Sequence, residues 1–186
     1  EIRSMLIHES SSAKIYARGY DEDGRAILYM YQKRENTHHA ENNIKHLIYQ
    51  IERAIACSEK HGYEKIVVIL DFDGWKMKHA SSMYVTKTTI HVLQDCYVER
   101  VHKLIATNPP TIFRTFYNMI KGFLDPVTKA KILFATGETG RKELEKSFSP
   151  ETCEESVFGM GASNLKPFDA HEYYSLPLNV SYDEKL

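Results

Sequence analysis

Residues 65–72, KIVVILDF, contain a run that is apolar at every position from Ile66 to Leu70. A strand without polar alternation has no face to leave in water, so it belongs inside a sheet covered on both sides, and such sheets are mostly parallel. Parallel strands need crossover connections of a dozen or more residues, usually helical. The flanking sequence supplies them. RAILYMYQ from Arg25 reads as a strand with Ile27, Tyr29 and Tyr31 on one face, after a turn at 18–24, RGYDEDG. From Asn43, whose short amide suits a helix cap, Ile44, Leu47, Ile48, Ile51 and Ile55 recur at helical spacing until His61 and Gly62. Residues 80–97 mix the β-branched VTKTTIHV with a helical face of Met83, Ile90, Leu93 and Tyr97, and the spacing predicts a helix. VHKLIAT (101–107) and KILFAT (131–136) read as strands on either side of a further helix. The order β-α-β-α-β-α-β predicts an α/β fold, an open, mostly parallel sheet with right-handed crossovers and flanking helices. Beyond Glu138 a polar helix, RKELEKSF, leads into a stretch with Pro150, Gly159, Gly161, Pro167 and Pro177, where long regular structure is not expected.

The helix at 112–124 carries more apolar surface than a sheet can cover. Eight of its 13 residues are large and apolar: Ile112, Phe113, Phe116, Tyr117, Met119, Ile120, Phe123 and Leu124. At 100° per residue, Arg114, Thr115, Asn118 and Lys121 make one narrow polar stripe, leaving an apolar arc wider than the roughly 100° a docking helix needs. Periodicity leaves two outcomes open: an ordinary buried helix, or one whose surplus is covered by something other than the sheet.

At 186 residues the chain has room for one full core. Its 24 Lys and Arg nearly balance 25 Asp and Glu, with no block of like charge, which argues against a nucleic-acid partner. Cys57, Cys96 and Cys153 lie far apart without a CxxC pair, so neither a disulfide framework nor a zinc site is expected, and a reducing, cytoplasmic setting is. His38, His39 and the other histidines lack metal-ligand spacing with any acidic or thiol partner, and no metal or cofactor is expected. No stretch approaches the length of a membrane span, so any membrane contact is expected to be peripheral. A start at Glu1 rather than Met raises the expectation of a fragment of a longer parent with additional domains.

VVILDFDGW resembles the strand-end motif of haloacid-dehalogenase-type phosphatases, which would make Asp71 the nucleophile and Asp73 the general acid/base around Mg²⁺. Trp75 stands where a small or hydroxylated residue normally follows, and no later acidic Gly-Asp segment supplies metal ligands. A strand-end corner that places Asp71 at a turn is the alternative. A protein-interaction module, with the apolar helix as its docking surface, is a third class.

GYDEDGRAILY, ILDFDGW, YVERVHKLIATNPP and above all FLDPVTKAKILF, in this order and spacing, resemble the CRAL-TRIO lipid-binding domain, and within it the phosphatidylinositol transfer proteins. The resemblance covers roughly residues 18–161. It implies a non-enzymatic lipid carrier that takes a phospholipid or another hydrophobic small molecule and touches a membrane surface transiently. It further implies a sheet flooring an apolar pocket under a mobile gate helix, here with Ile112, Phe113, Phe116, Tyr117, Ile120, Phe123 and Leu124 toward the acyl chains. In phosphatidylinositol transfer members a Glu, a Thr and a Lys hold the inositol phosphate; these fall on Glu99, Thr128 and Lys131. An ammonium, a hydroxyl donor and a carboxylate suit a phosphate with its inositol hydroxyls. The usual proline before the Glu is Val98, and Ile66 and Val68 stand where hydroxyls hold phosphatidylcholine, which favours an inositol lipid. The family's N-terminal helical subdomain precedes this sequence. The expected organisation is a lipid-binding domain over 1–161 followed by a C-terminal tail, 162–186.

Overall fold

The computed structural model describes residues 1–97, 99–149, 153–154 and 165–184. Five strands form one sheet in sequential order: β1 (Ile15–Tyr20), β2 (Ala26–Tyr31), β3 (Ile66–Asp71), β4 (Val101–Thr107) and β5 (Ile132–Ala135). β2 to β5 run parallel, and β1 adds an antiparallel edge. This is the expected α/β architecture.

Each parallel strand is laid beside its predecessor in the same direction, so right-handed crossovers place all connecting helices on one face. These are α2 (Ala40–Lys60), α3 (Met83–Cys96) and α4 (Phe113–Ile120). On that side Leu28, Ile66 and Val68 meet Leu47 and Ile51 of α2. On the other side Ile27, Tyr29, Tyr31, Val67, Ile69 and Ile105 form a core with Leu6 of α1 (Ile2–Ser10) and Leu144 of α6 (Gly137–Leu144). A short α5 (Pro126–Ala130) leads into β5, and α7 (Ala170–Tyr173) ends the helical inventory of the described residues.

Several boundaries depart from expectation. β1 occupies part of the segment read as a turn; the turn itself begins at Asp21, whose Oδ1 accepts from the amides of Asp23, Gly24 and Arg25 at 3.1, 3.0 and 2.8 Å. Arg18 and Gly19 look like loop residues, yet Arg18 is buried, its guanidinium 4.7 Å from the Tyr182 ring centre and paired with Glu154. Gly19, at φ +66, sits in the irregular register between Ala17 and Tyr20. α2 starts earlier than predicted, capped by His39, whose ring accepts from the Asn42 amide. Asn43 lies inside its first turn, where Oδ1 accepts from the Lys14 ammonium at 2.8 Å. α4 is shorter than 112–124: it ends at Ile120 and continues as a 3-10 turn, Lys121–Phe123. Gly122 disfavours helix there, and Pro126 biases Asp125 toward extended backbone.

The boundary placed at 161/162 falls within 155–164, outside the described residues. Residues 165–184 pack against the domain rather than trailing from it. Tyr182 donates its amide to the Ala17 carbonyl at 3.1 Å and forms a bridge beside Arg18, covering the open edge of β1. Arg53 of α2, wholly buried, donates to the carbonyls of Pro177 (3.1 Å) and Val180 (2.9 Å) and lies 4.1 Å from the Tyr173 ring. Tyr173 Oη donates to Gln50 (2.7 Å) and accepts from the Ala17 amide (2.9 Å). Ser10 and Gln50 both reach Tyr174 Oη and His46 Nε2. Most polar groups this deep are tolerated because they bond one another or backbone; His46 Nδ1 and Arg53 Nε are buried without a hydrogen-bond partner among the described residues.

Two consequences can be measured. α6 approaches β5 so closely that a Cβ on Gly140 would lie 2.6 Å from the Ala135 carbonyl carbon. Gly140→Ala is expected to lower stability by about 1–3 kcal/mol, as overpacking against backbone does, read as a lower urea midpoint. Burial, with the Lys14 charge adding, depresses the His46 pKa from 6.5 to about 3. Because the folded state resists protonating this ring, the stability linked to neutral His46 is complete above pH 6.5 and is lost as pH falls from 6.5 toward 3. Urea titrations across that window should show a shallower decline for His46→Gln than for the wild type.

Candidate functional site

The three crossover helices are not equally close to the sheet. α2 packs directly on β1, β2 and β3, whereas α3 packs on α2, and no contact of comparable extent joins α3 or α4 to a strand. The space left is a cavity of about 250 Å³. Its floor is Leu28, Met30, Ile66, Val68, Leu70, Leu104, Ala106, Ile132 and Phe134, and its walls include Leu47, Ile51, Ile90, Leu93, Phe113, Phe116, Tyr117 and Ile120. An apolar cavity of ~150 Å³ is dry and takes up benzene, so a larger one with this lining favours an apolar guest. Phe134, on the edge strand β5, is 38% exposed. The inward part of the apolar arc, Phe113, Phe116, Tyr117 and Ile120, faces this hollow, while Ile112, Met119 and Phe123 are exposed.

Aromatic rings hold the start of α4. Phe113 is buried with its ring centre 4.2 Å from Phe72; Phe116 lies 5.7 Å from Trp75, and Tyr117 meets Phe134 edge-on at 5.2 Å. Of the residues expected on the gate, Phe113, Phe116, Tyr117, Ile120 and Leu124 line the cavity. Ile112 and Phe123 are instead exposed at the two ends. Ile112 precedes the first helical residue, and the switch to 3-10 winding turns Phe123 outward, where the Lys87 ammonium lies 4.7 Å from its ring centre.

The residues expected at a head group gather where β4 and β5 begin. Glu99 has φ +64, the left-handed conformation that a non-glycine residue adopts at a cost. Its Oε2 lies 3.2 Å from Lys65 Nζ and 3.4 Å from Lys131 Nζ, and hydrogen bonding to these two ammonium groups, Lys65 first, holds the exposed carboxyl below its usual pKa. Thr128 lines the cavity three residues before Lys131 and donates to the carboxylate of Asp125, the cap of α5. Val98 lies outside the described residues. Sequence patterns missed Lys65, although it precedes β3 as Arg100 precedes β4, so the sequential strand order could have placed it there.

The opposite end of the cavity has a polar corner that periodicity did not reveal. Lys14, buried, donates to Glu9 (2.6 Å), Glu35 (2.7 Å), Thr37 (3.0 Å) and Asn43 (2.8 Å), and Lys14, Glu35 and Asn43 all line the cavity. Two carboxylates neutralise this ammonium, so the corner offers no free positive charge to a phosphate. Asp71 Oδ1 accepts from Thr107 Oγ1 (3.2 Å), Asn108 Nδ2 (2.9 Å) and the Asp73 amide (3.1 Å), joining the ends of β3 and β4. Asp73 is exposed in the turn. Among the described residues no three His, Cys, Asp or Glu side chains converge as metal ligands, and no helix is long and apolar enough to cross a membrane.

A mostly parallel sheet with an apolar cavity under an outlying crossover helix defines a domain with an interior site for a hydrophobic ligand. Residues 10–159 match the CRAL/TRIO domain, and the chain belongs to that family. It is 33% identical over 131 residues to the phosphatidylinositol transfer protein PDR17 of Saccharomyces cerevisiae, covering 68% of this chain and 37% of that protein. It is 32% identical over 152 residues to the SEC14 cytosolic factor of Kluyveromyces lactis, covering 72% of this chain and 50% of the relative. The crystal structure of Sfh5 superposes with a TM-score of 0.57 at 19% identity, over 66% of this chain and 48% of that one. The chain thus spans half or less of the length of each.

Proposed function

We propose that this domain binds a hydrophobic lipid, phosphatidylinositol or a related phosphoinositide, and carries it between membranes or presents it to lipid-modifying enzymes, without catalysing a reaction. The apolar cavity under α4, with Thr128 in its lining, carries this reading, the Glu99–Lys131 pair sits at the starts of β4 and β5 outside that lining, and the transfer activity in the name of the PDR17 relative supports it. Each methylene removed from water contributes about 0.8 kcal/mol, so two chains of about 16 carbons represent on the order of 25 kcal/mol. A bilayer offers nearly the same, and so extraction into an apolar cavity is close to neutral at the chains. Head-group contacts then decide which lipid is kept. Lys131 supplies charge for a phosphate, and Glu99 and Thr128 supply partners for hydroxyls and phosphate oxygens. The three hydrogen bonds that Asp71 Oδ1 accepts at the β3–β4 corner favour a structural role for it over that of a nucleophile.

Charge segregation supports peripheral membrane contact. Segments 74–96 and 108–131, which hold α3, α4 and α5, contain seven Lys and Arg but two acids, Asp95 and Asp125, in a chain of net charge −1. Met83, Tyr84, Met119, Phe123 and Val127 are exposed on the same segments. Basic side chains around apolar ones suit an anionic bilayer, at ~1 kcal/mol per Lys or Arg near the surface.

The test is lipid exchange between vesicles. Phe116→Asp or Ile120→Asp should abolish it while circular dichroism shows the fold retained; normal transfer would refute the gate. Lys131→Ala should weaken retention of phosphatidylinositol more than that of a neutral lipid, and equal losses would assign Lys131 a structural role.

A further inference from the structure

We propose that Gln94 is the latch of the gate, a positioning residue that sets how often the C-terminal end of α4 lifts from the cavity. Its side chain uses both ends of its amide on the hinge after α4. Nε2 donates to the Phe123 carbonyl at 3.0 Å, and Oε1 accepts from the Asp125 amide at 2.8 Å. The bracketed residue, Leu124, is extended between the 3-10 turn and α5, and it lines the cavity, as does Gln94 itself. The helical ladder is interrupted at this point, and one side chain of α3 bridges the gap.

The two ends of the gate are held by different physics. At the start, Phe113 and Phe116 pack on Phe72 and Trp75, and the hydrophobic part of that packing is non-directional and survives small rotations. At the end, the paired hydrogen bonds of Gln94 are directional, and one movement of the hinge away from α3 breaks both. The aromatic end is therefore the pivot and the Gln94 end the part that opens. Lys87, against the exposed Phe123 ring, adds a weaker contact from the same helix. α3 rests on α2, which is docked on the sheet, so the latch ties the gate to the rigid part of the domain.

This inference rests on the carrier reading, and its test is independent of it. Hydrogen exchange on the whole chain should show the amides of 113–125 opening roughly tenfold more often in Gln94→Leu than in the wild type, the scale set by losing two ordinary hydrogen bonds. Amides of β3 should be unchanged. Gln94→Glu keeps the acceptor for the Asp125 amide and loses the donor to Phe123, so it should fall between. Unchanged protection of 113–125 in Gln94→Leu, or equal acceleration in β3, would overturn the latch. If the wild type moved no phosphatidylinositol between vesicles, the carrier reading would fail while the exchange data still decided the latch. If it does move lipid, Gln94→Leu should release it faster.

Discussion

The spacing between the sheet and its outer crossover helices is the constraint on which the site depends. Sequential parallel strands force α2, α3 and α4 onto one face, and one helix, α2, is docked there in full. α3 leans on α2, and α4 is held by a ring cluster at its start and by α3 at its end. An ordinary α/β domain would bury Leu70, Leu104, Ile132 and Phe134 under such helices. Here they floor a hollow, and Phe134 is left exposed.

A hollow of that kind weakens one face, and the other compensates. The core of Tyr16, Ile27, Tyr29, Val67, Ile69 and Ile105 is closed by α1, α6 and the returning segment at 165–184. Arg53 and Tyr173 carry polar groups into that closure, where one guanidinium nitrogen of Arg53 donates to the Pro177 and Val180 carbonyls, Tyr173 Oη accepts from the Ala17 amide, and the Tyr182 amide donates to the Ala17 carbonyl. The edge of β1 is covered at the same time. A densely packed back layer thus stands behind a front layer that keeps a hollow.

Two charged clusters near the cavity differ in charge chemistry. At the start of β4 and β5, Lys65 and Lys131 share one carboxylate, Glu99, so the corner has positive charge to spare. At the far end, Lys14 is matched by Glu9 and Glu35 and has none.

Local pattern determined much of this protein. The apolar run of β3 announced a covered parallel sheet, the alternation gave the crossovers, and the excess apolar arc of 112–124 pointed to a surface awaiting a guest. These are readable because strand and helix periods act over a few residues. Arg18 in a strand, Asn43 serving Lys14 rather than a cap, Gln94 bridging to a hinge, and Tyr182 closing the β1 edge were not readable. Each takes its role from a partner between 29 and 165 residues away, as with Lys14 and Asn43 or Ala17 and Tyr182. A polar side chain in the sequence looks like surface until the fold brings it a partner; periodicity encodes which face is apolar, and only tertiary packing decides whether that face meets a neighbour or an empty space.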